Sequence, residues 1–156
     1  MTKSSASSDN SARRLARLAA VQGLYRIALT QHSPQEIIRD FRDHPQPLNP
    51  DLPGGETLAG MDSELFAEIV TGVVQHASDL DEMLAGAFDA RLSPARMETL
   101  LCATLRAGAY ELHHHQKIPA AVIINDYVDV AHAFFDAKEP GLVNGILDKL
   151  AKNLRS

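Results

Sequence analysis

The stretch SARRLARLAAVQGLYRIALT, Ser11–Thr30, decides the fold class. It holds no proline, and Leu15, Leu18, Tyr25 and Leu29 recur at spacings of 3, 7 and 4, which places them on one stripe of a helix with Gln22 among them. Ser11 reads as the N-cap of that helix, and the Ser-rich residues 1–10 before it read as a disordered tail. A strand would need alternation by two between turn signals, and that pattern is sustained nowhere in the chain.

Working outward, Ser33, Pro34 and Glu36 form an N-cap, a first-position proline and the acid of a capping box, leading into Ile37, Ile38 and Phe41. Residues 43–60 hold Pro45, Pro47, Pro50 and Pro53 with Gly54 and Gly55, a loop composition. Leu65, Phe66, Ile69, Val70 and Val73 predict a third helix over about Asp62–Ala77. A fourth, capped within Ser78–Asp81, carries Leu80, Leu84 and Phe88. Ser93 and Pro94 open a fifth through Met97, Leu100, Leu101, Leu105 and Leu112; Pro119 opens a sixth and Pro140 a seventh. The expectation is an all-α chain of about seven helices, one bundle or two packed subbundles, with a single domain over 11–156.

Composition agrees. A chain of 156 residues is long enough to bury roughly 70% of its unfolded surface, and 45% apolar with 22% charged residues is an ordinary globular balance. No apolar run approaches the length of a spanning helix, and the first ten residues lack the apolar segment of a secretory signal, so a soluble, cytoplasmic protein is expected. Cys102, the single cysteine, reads as a packed thiol among Leu100, Leu101 and Leu105. The net charge of −5 hides an asymmetry: residues 1–30 sum to +4 and the remainder to −9. A basic patch on an acidic body can attract a polyanion at one place only.

No nucleophile elbow, phosphate loop, dinucleotide fingerprint or zinc-protease motif occurs, so an enzyme would have to be an unusual one. Neighbouring positions on a helix point about 100° apart, so His113, His114 and His115 do not read as a metal site. Asp79, Asp81 and Glu82 read as a first-turn acidic cluster. Arg13, Arg14 and Arg17 remain, within one arc of the first helix. Three guanidiniums there suit phosphates or stacked bases, with Gln22 either at the rim or bonded to a neighbouring helix. The alternative is a solvated helix face.

These residues resemble the opening of the NusB family of transcription antitermination factors: Arg13-Arg14-x-x-Arg17, then Ala20-Val21-Gln22-x-Leu24-Tyr25. Further matches follow in order: Phe66-x-x-Ile69-Val70-x-Gly72-Val73, Leu80-Asp81, Leu105-Arg106-x-Gly108-Ala109-Tyr110-Glu111-Leu112, Ile118-Pro119-x-x-Val122-x-Ile124-Asn125-Asp126, and Leu142-Val143-Asn144-Gly145-Ile146-Leu147-Asp148. The resemblance implies two packed three-helix subbundles with an additional helix, without catalysis or a cofactor. It also implies binding of the boxA element of nascent ribosomal RNA together with ribosomal protein NusE, within the complex that lets RNA polymerase read through terminators. The resemblance places Arg13, Arg14 and Arg17 on the RNA, with the segment leading into the last helix at Leu142, and Tyr25 toward NusE; the residues themselves add Gln22 and Lys138 to the expected RNA-binding set, and Glu98 and Leu101, where the family's acid is displaced, to the expected partner-binding set.

The chain departs from that pattern in four places. Leu142 stands where an aromatic residue is common, Leu101 where an acid is common, and Lys138 where the family has an acidic variant; the loop 43–60 is long. Other readings stand beside the resemblance. The chain is a protein adaptor that never touches RNA, a homodimer when alone, or a relative of the N-terminal module of ribosomal RNA cytosine methyltransferases. Asn125 and Asn144 read as buried amides, Gly72, Gly108 and Gly145 as sites of close helix contact, and Arg106 as a partner of Glu111 or another acid.

Overall fold

The computed structural model describes residues 2–44, 60–87, 97–136 and 138–155, and among these the regular elements are all helices. They are α1 (Thr2–Thr30), α2 (Pro34–Asp43), α3 (Ser63–Gln75), α4 (Ala77–Ala85), α5 (Thr99–His114), α6 (Ala120–Phe134) and α7 (Glu139–Arg155). Helices α1, α2 and α3 pack on one another, and α5, α6 and α7 form the second group with α4 laid on α5. Helix α5 also touches α1 and α3, which joins the two groups into one core. None of these helices is long and apolar enough to cross a membrane.

Local signals set the helix starts. Ser33 Oγ accepts the Glu36 N–H at 3.1 Å with Pro34 in the first position, as the sequence reading expects. Asp62 Oδ1 caps α3 by accepting the Leu65 N–H at 3.1 Å, while its own N–H donates to the Ala12 carbonyl at 3.0 Å, tying α3 to α1. Helix α4 starts at Ala77 without a side-chain cap, so the Ser78–Asp81 signature is not the start. The loop 45–59 and the Ser93-Pro94 start lie outside the described residues.

The first helix departs most from expectation. Its backbone is helical from Thr2, so Ser11 lies inside it, and residues 2–10, expected as part of a disordered tail, are helical. Between Thr2 and Gln22 there is no glycine or proline, and Ser and Asn cost only a few tenths of a kcal/mol each in a helix, too little to end one. The buried face also differs. Ala16, Leu18, Ala19, Ala20, Val21 and Leu24 are buried, whereas Leu29 is 61% exposed and Tyr25 only partly covered. Because α1 packs against α2, α3, α5 and α6, small side chains matter more there than the bulky stripe.

Helix α5 is buried nearly all round, from Leu101 to Leu112 with Arg106 as the partial exception. Such a helix belongs to the centre of a core. Two glycines permit this closeness. A Cβ on Gly72 would lie 2.2 Å from the Tyr110 ring, and one on Gly108 would lie 2.7 Å from Leu147. Gly145 is different: nothing lies within 4 Å of its missing Cβ, and Asn125 and Asn144 are exposed. The expected packing role of these three is therefore corrected; they are solvent-facing helix positions.

These environments give opposite signs to one substitution. Gly72→Ala, which must displace the Tyr110 ring, is expected to destabilise by about 1–3 kcal/mol. Gly145→Ala adds a methyl in open space within a helix and should stabilise by up to about 1 kcal/mol. Urea unfolding of the two variants checks the pair.

Candidate nucleic-acid interface

The three arginines of α1 have different environments. Arg17 is 2% exposed, and its guanidinium makes a two-pronged contact with Glu111 on α5, Nε to Oε2 at 2.7 Å and Nη2 to Oε1 at 2.8 Å. Its Nη1 donates to Asp126 Oδ2 on α6 at 2.6 Å. Arg17 is thus removed from the expected RNA-binding set: all three guanidinium nitrogens are held on carboxylates, and although the residue borders the cleft beside Arg13 it is almost wholly buried.

Glu111 is fully satisfied. Its Oε2 also accepts the Tyr127 hydroxyl at 2.6 Å, and its Oε1 meets His115 Nδ1 at 3.0 Å, so each oxygen has two partners. Burial opposes the charge, but the hydrogen bonds from Arg17, His115 and Tyr127 outweigh it and bring the carboxyl down to about 2. The same burial and the neighbouring Glu111 charge push the Tyr127 hydroxyl well up. His115 Nε2 reaches Glu68 Oε2 at 2.6 Å; hydrogen bonding to Glu111 and then Glu68, against burial, raises its imidazole above the ordinary range. The Tyr110 hydroxyl donates to the same Glu68 oxygen at 2.9 Å.

This network divides the histidine triplet. His115 turns toward two acids, His114 stacks on Tyr110 with ring centroids 4.2 Å apart, and His113 is exposed. Other arginines also serve the fold. Arg106 forks onto Asp81, both contacts 2.8 Å, which settles its partner as Asp81 and not Glu111. Arg26 binds Asp40 at 2.7 Å and lies over the Phe41 ring, holding that carboxyl below its usual range. Arg155 donates to the carbonyls of Leu112, His115 and Ile118, closing the turn between α5 and α6. Cys102 is buried, which raises its thiol as expected for a packed side chain.

Arg13 and Arg14 remain at the surface. The Arg14 side chain is 62% exposed, with its nitrogens 3.7 Å from Asp126 and 3.8 Å from Asp129. Arg13 is partly exposed, makes a long 3.4 Å bond to Asn10, and borders a cleft shared with Asp62, Glu64, Glu68 and His115. Gln22 is partly exposed two turns on, Lys138 is exposed in the turn before α7, and Leu142 is half-buried in the first turn of α7. Helix α6, which packs on both α1 and α7, lies between the two groups.

Of the expected partner-binding residues, Glu98 is exposed and Tyr25 partly so, but Leu101 is 7% exposed and belongs to the core, a correction to its expected role. The apolar surface there comes largely from residues given no partner role in the sequence. Val74, Met97, Ile27 and Ala28 line a groove of about 300 Å³, and Leu29 stands exposed at the end of α1. The sequence assigns Leu29 and Met97 to the apolar positions of their helices and leaves Ile27, Ala28 and Val74 outside them.

Comparison with known proteins agrees with this architecture. The model of the NusB family matches residues 14–152. The transcription antitermination protein NusB of Bartonella quintana is 41% identical over 140 residues, covering 90% of this chain and 88% of that protein; that of Rhizobium rhizogenes is 39% identical, covering 90% and 86%. Among solved structures, T. maritima NusB superposes with a TM-score of 0.73 at 22% identity over 92% of this chain and 93% of that one. A chain from the crystal structure of antitermination factors NusB and NusE in complex with dsRNA gives 0.72 at 24% identity, covering 90% and 96%.

The network has two measurable consequences. Arg17→Ala, which strands two acids, is expected to cost about 3–5 kcal/mol in chemical unfolding, whereas Arg13→Ala should change stability by about 0.5 kcal/mol or less. With pH the two limbs have opposite sign. Glu111, lowered from 4.5 to about 2, contributes stability above 4.5 that is lost as pH falls toward 2; His115, raised from 6.5, contributes below 6.5 and loses that part as pH climbs through its raised value. Unfolding free energies across pH should therefore plateau between the two limbs, and His115→Gln should flatten the alkaline one.

Proposed function

The chain belongs to the NusB family, and on that premise we propose that it is a cytoplasmic transcription antitermination factor that holds the boxA element of nascent ribosomal RNA together with NusE, within the RNA polymerase antitermination complex. The observation that carries the RNA half of this reading is the division of the α1 arginines. Arg17 is consumed by the fold, while Arg13 and Arg14 stand outward on a chain whose charge is otherwise acidic. Guanidiniums at the surface fork onto phosphates, and Lys138 and Leu142 beyond α6 supply a further cation and an apolar contact.

Acids stand close to both arginines, which limits what the chain achieves alone. Two phosphate contacts to single-stranded RNA correspond to a salt slope of only about −1.4, and Lys138 would bring it to about −2. A partner bound to this chain and to the same RNA then adds affinity without new RNA contacts from this chain. The surface proposed for NusE is the C-terminal end of α1, where Tyr25 and the exposed Leu29 stand, together with the groove that Ile27, Ala28, Val74 and Met97 line, with Glu98 next to Met97 in the chain. Tyr25 is eleven residues from Arg14, about 16 Å along the helix, so the two surfaces do not compete. That NusB and NusE stand together with dsRNA in a solved complex supports NusE as the partner. No catalytic role is assigned.

Anisotropy of a labelled boxA-type RNA titrated with the chain, with and without NusE and at two salt concentrations, tests the reading. Arg13→Ala with Arg14→Ala is expected to weaken binding at least tenfold at low salt and reduce the salt slope by about 1.4. NusE binding should be unchanged. RNA affinity that ignores this double substitution, with NusE still bound, would make the chain a protein adaptor instead.

A further inference from the structure

Helices α1 and α6 lie against each other along the side that carries Arg14, and between them runs a groove of about 590 Å³. Leu15, Leu18, Val130 and Ala133 form its apolar floor, and Arg14 and Asp129 stand on its rim with 3.8 Å between their charged atoms. The volume falls within the range of small-ligand pockets, about 300–1,000 Å³. The phosphate-binding reading uses Arg14 but leaves the apolar floor and Asp129 without a role.

We propose that this groove is a nucleobase slot: one unstacked base of the RNA held by Arg13 and Arg14 turns into it and lies against the leucine and valine floor. The inference rests on the RNA reading above and deepens it. Charge complementarity selects this occupant. A phosphate on Arg14 stands at the mouth of the groove, so the base of the same or the adjoining nucleotide reaches the floor without further extension of the chain. Contact with phosphate also draws Arg14 from Asp129, an exposed pair of small worth, and leaves that carboxylate as a hydrogen-bond acceptor. A carboxylate accepts from an exocyclic amine such as N4 of cytosine and repels the carbonyl O4 of uracil. The slot therefore prefers an amine-bearing base to uracil.

Abasic scanning of the boxA-type RNA, using the full chain with NusE present, tests the slot. One abasic position should weaken binding to the unmodified protein by about five- to tenfold. The loss should disappear in Ala133→Leu, which narrows the groove, while thermal unfolding, NusE binding and salt slope stay as they were. At that same position, replacing cytosine by uracil should weaken binding to the unmodified protein but not to Asp129→Asn, whose amide can donate. A scan in which Ala133→Leu absorbs no positional loss, with the arginine pair still required for RNA, overturns the slot alone. Self-association that Ala133→Leu abolishes, with a flat scan, overturns it in favour of a contact between copies. RNA binding insensitive to the arginine pair overturns the RNA reading and the slot with it.

Discussion

A single carboxylate organises this molecule. Glu111, on the most buried helix, is taken out of water with a charge that burial alone would not tolerate. It is stable there because its oxygens accept from Arg17, Tyr127 and His115, drawing together α1, α6 and the end of α5. Arg17 extends the link to Asp126 and His115 extends it to the half-exposed Glu68 on α3, so four helices share one polar network that runs from the core to the surface. Replacing a buried pair by apolar groups need not lower stability; what such a network enforces is geometry, since two-pronged guanidinium contacts allow little sliding. Here it sets the rotation of α1 and with it the outward aim of Arg13 and Arg14, a turn or less away.

That arrangement separates two uses of the same residue type on one helix. A guanidinium between fixed carboxylates is scaffold, and one in water beside exposed acids can be taken over by a phosphate. The same helix ends in an apolar, partly exposed segment about 16 Å further on. On the proposed reading, α1 carries its phosphate-binding surface near mid-helix and its protein surface at the C-terminal end, both backed by the same core.

Much of the architecture was legible in sequence because the signals are local. The serine and proline start of α2, the spacing of Leu65, Phe66, Ile69 and Val73, and the prolines opening α6 and α7 each act within a turn or two of the chain. Burial of Arg17 was not legible, since its partners lie 94 and 109 residues away and nothing local separates it from Arg13 and Arg14. The stripe assigned to α1 failed for a related reason: alanines pack a helix held between several neighbours, while Leu29 lies beyond them. Leu101 was offered to a partner by resemblance and is core, and Asn125, Asn144 and Gly145 lie on faces that only the tertiary arrangement leaves open. The family motif located the arginine cluster but could not divide it.

The division of the α1 arginines is the central claim, and arginine side-chain NMR reads it most directly. In ¹⁵N-labelled protein the Arg17 Nε–H, held on Glu111, should be protected from solvent exchange and stay in place as boxA-type RNA is added with NusE. The Arg13 and Arg14 signals should exchange rapidly without RNA, then shift and become protected on its addition. A shifting Arg17 signal alongside unmoved Arg13 and Arg14 signals would contradict the account, since the RNA would then be held by the residue assigned here to the core.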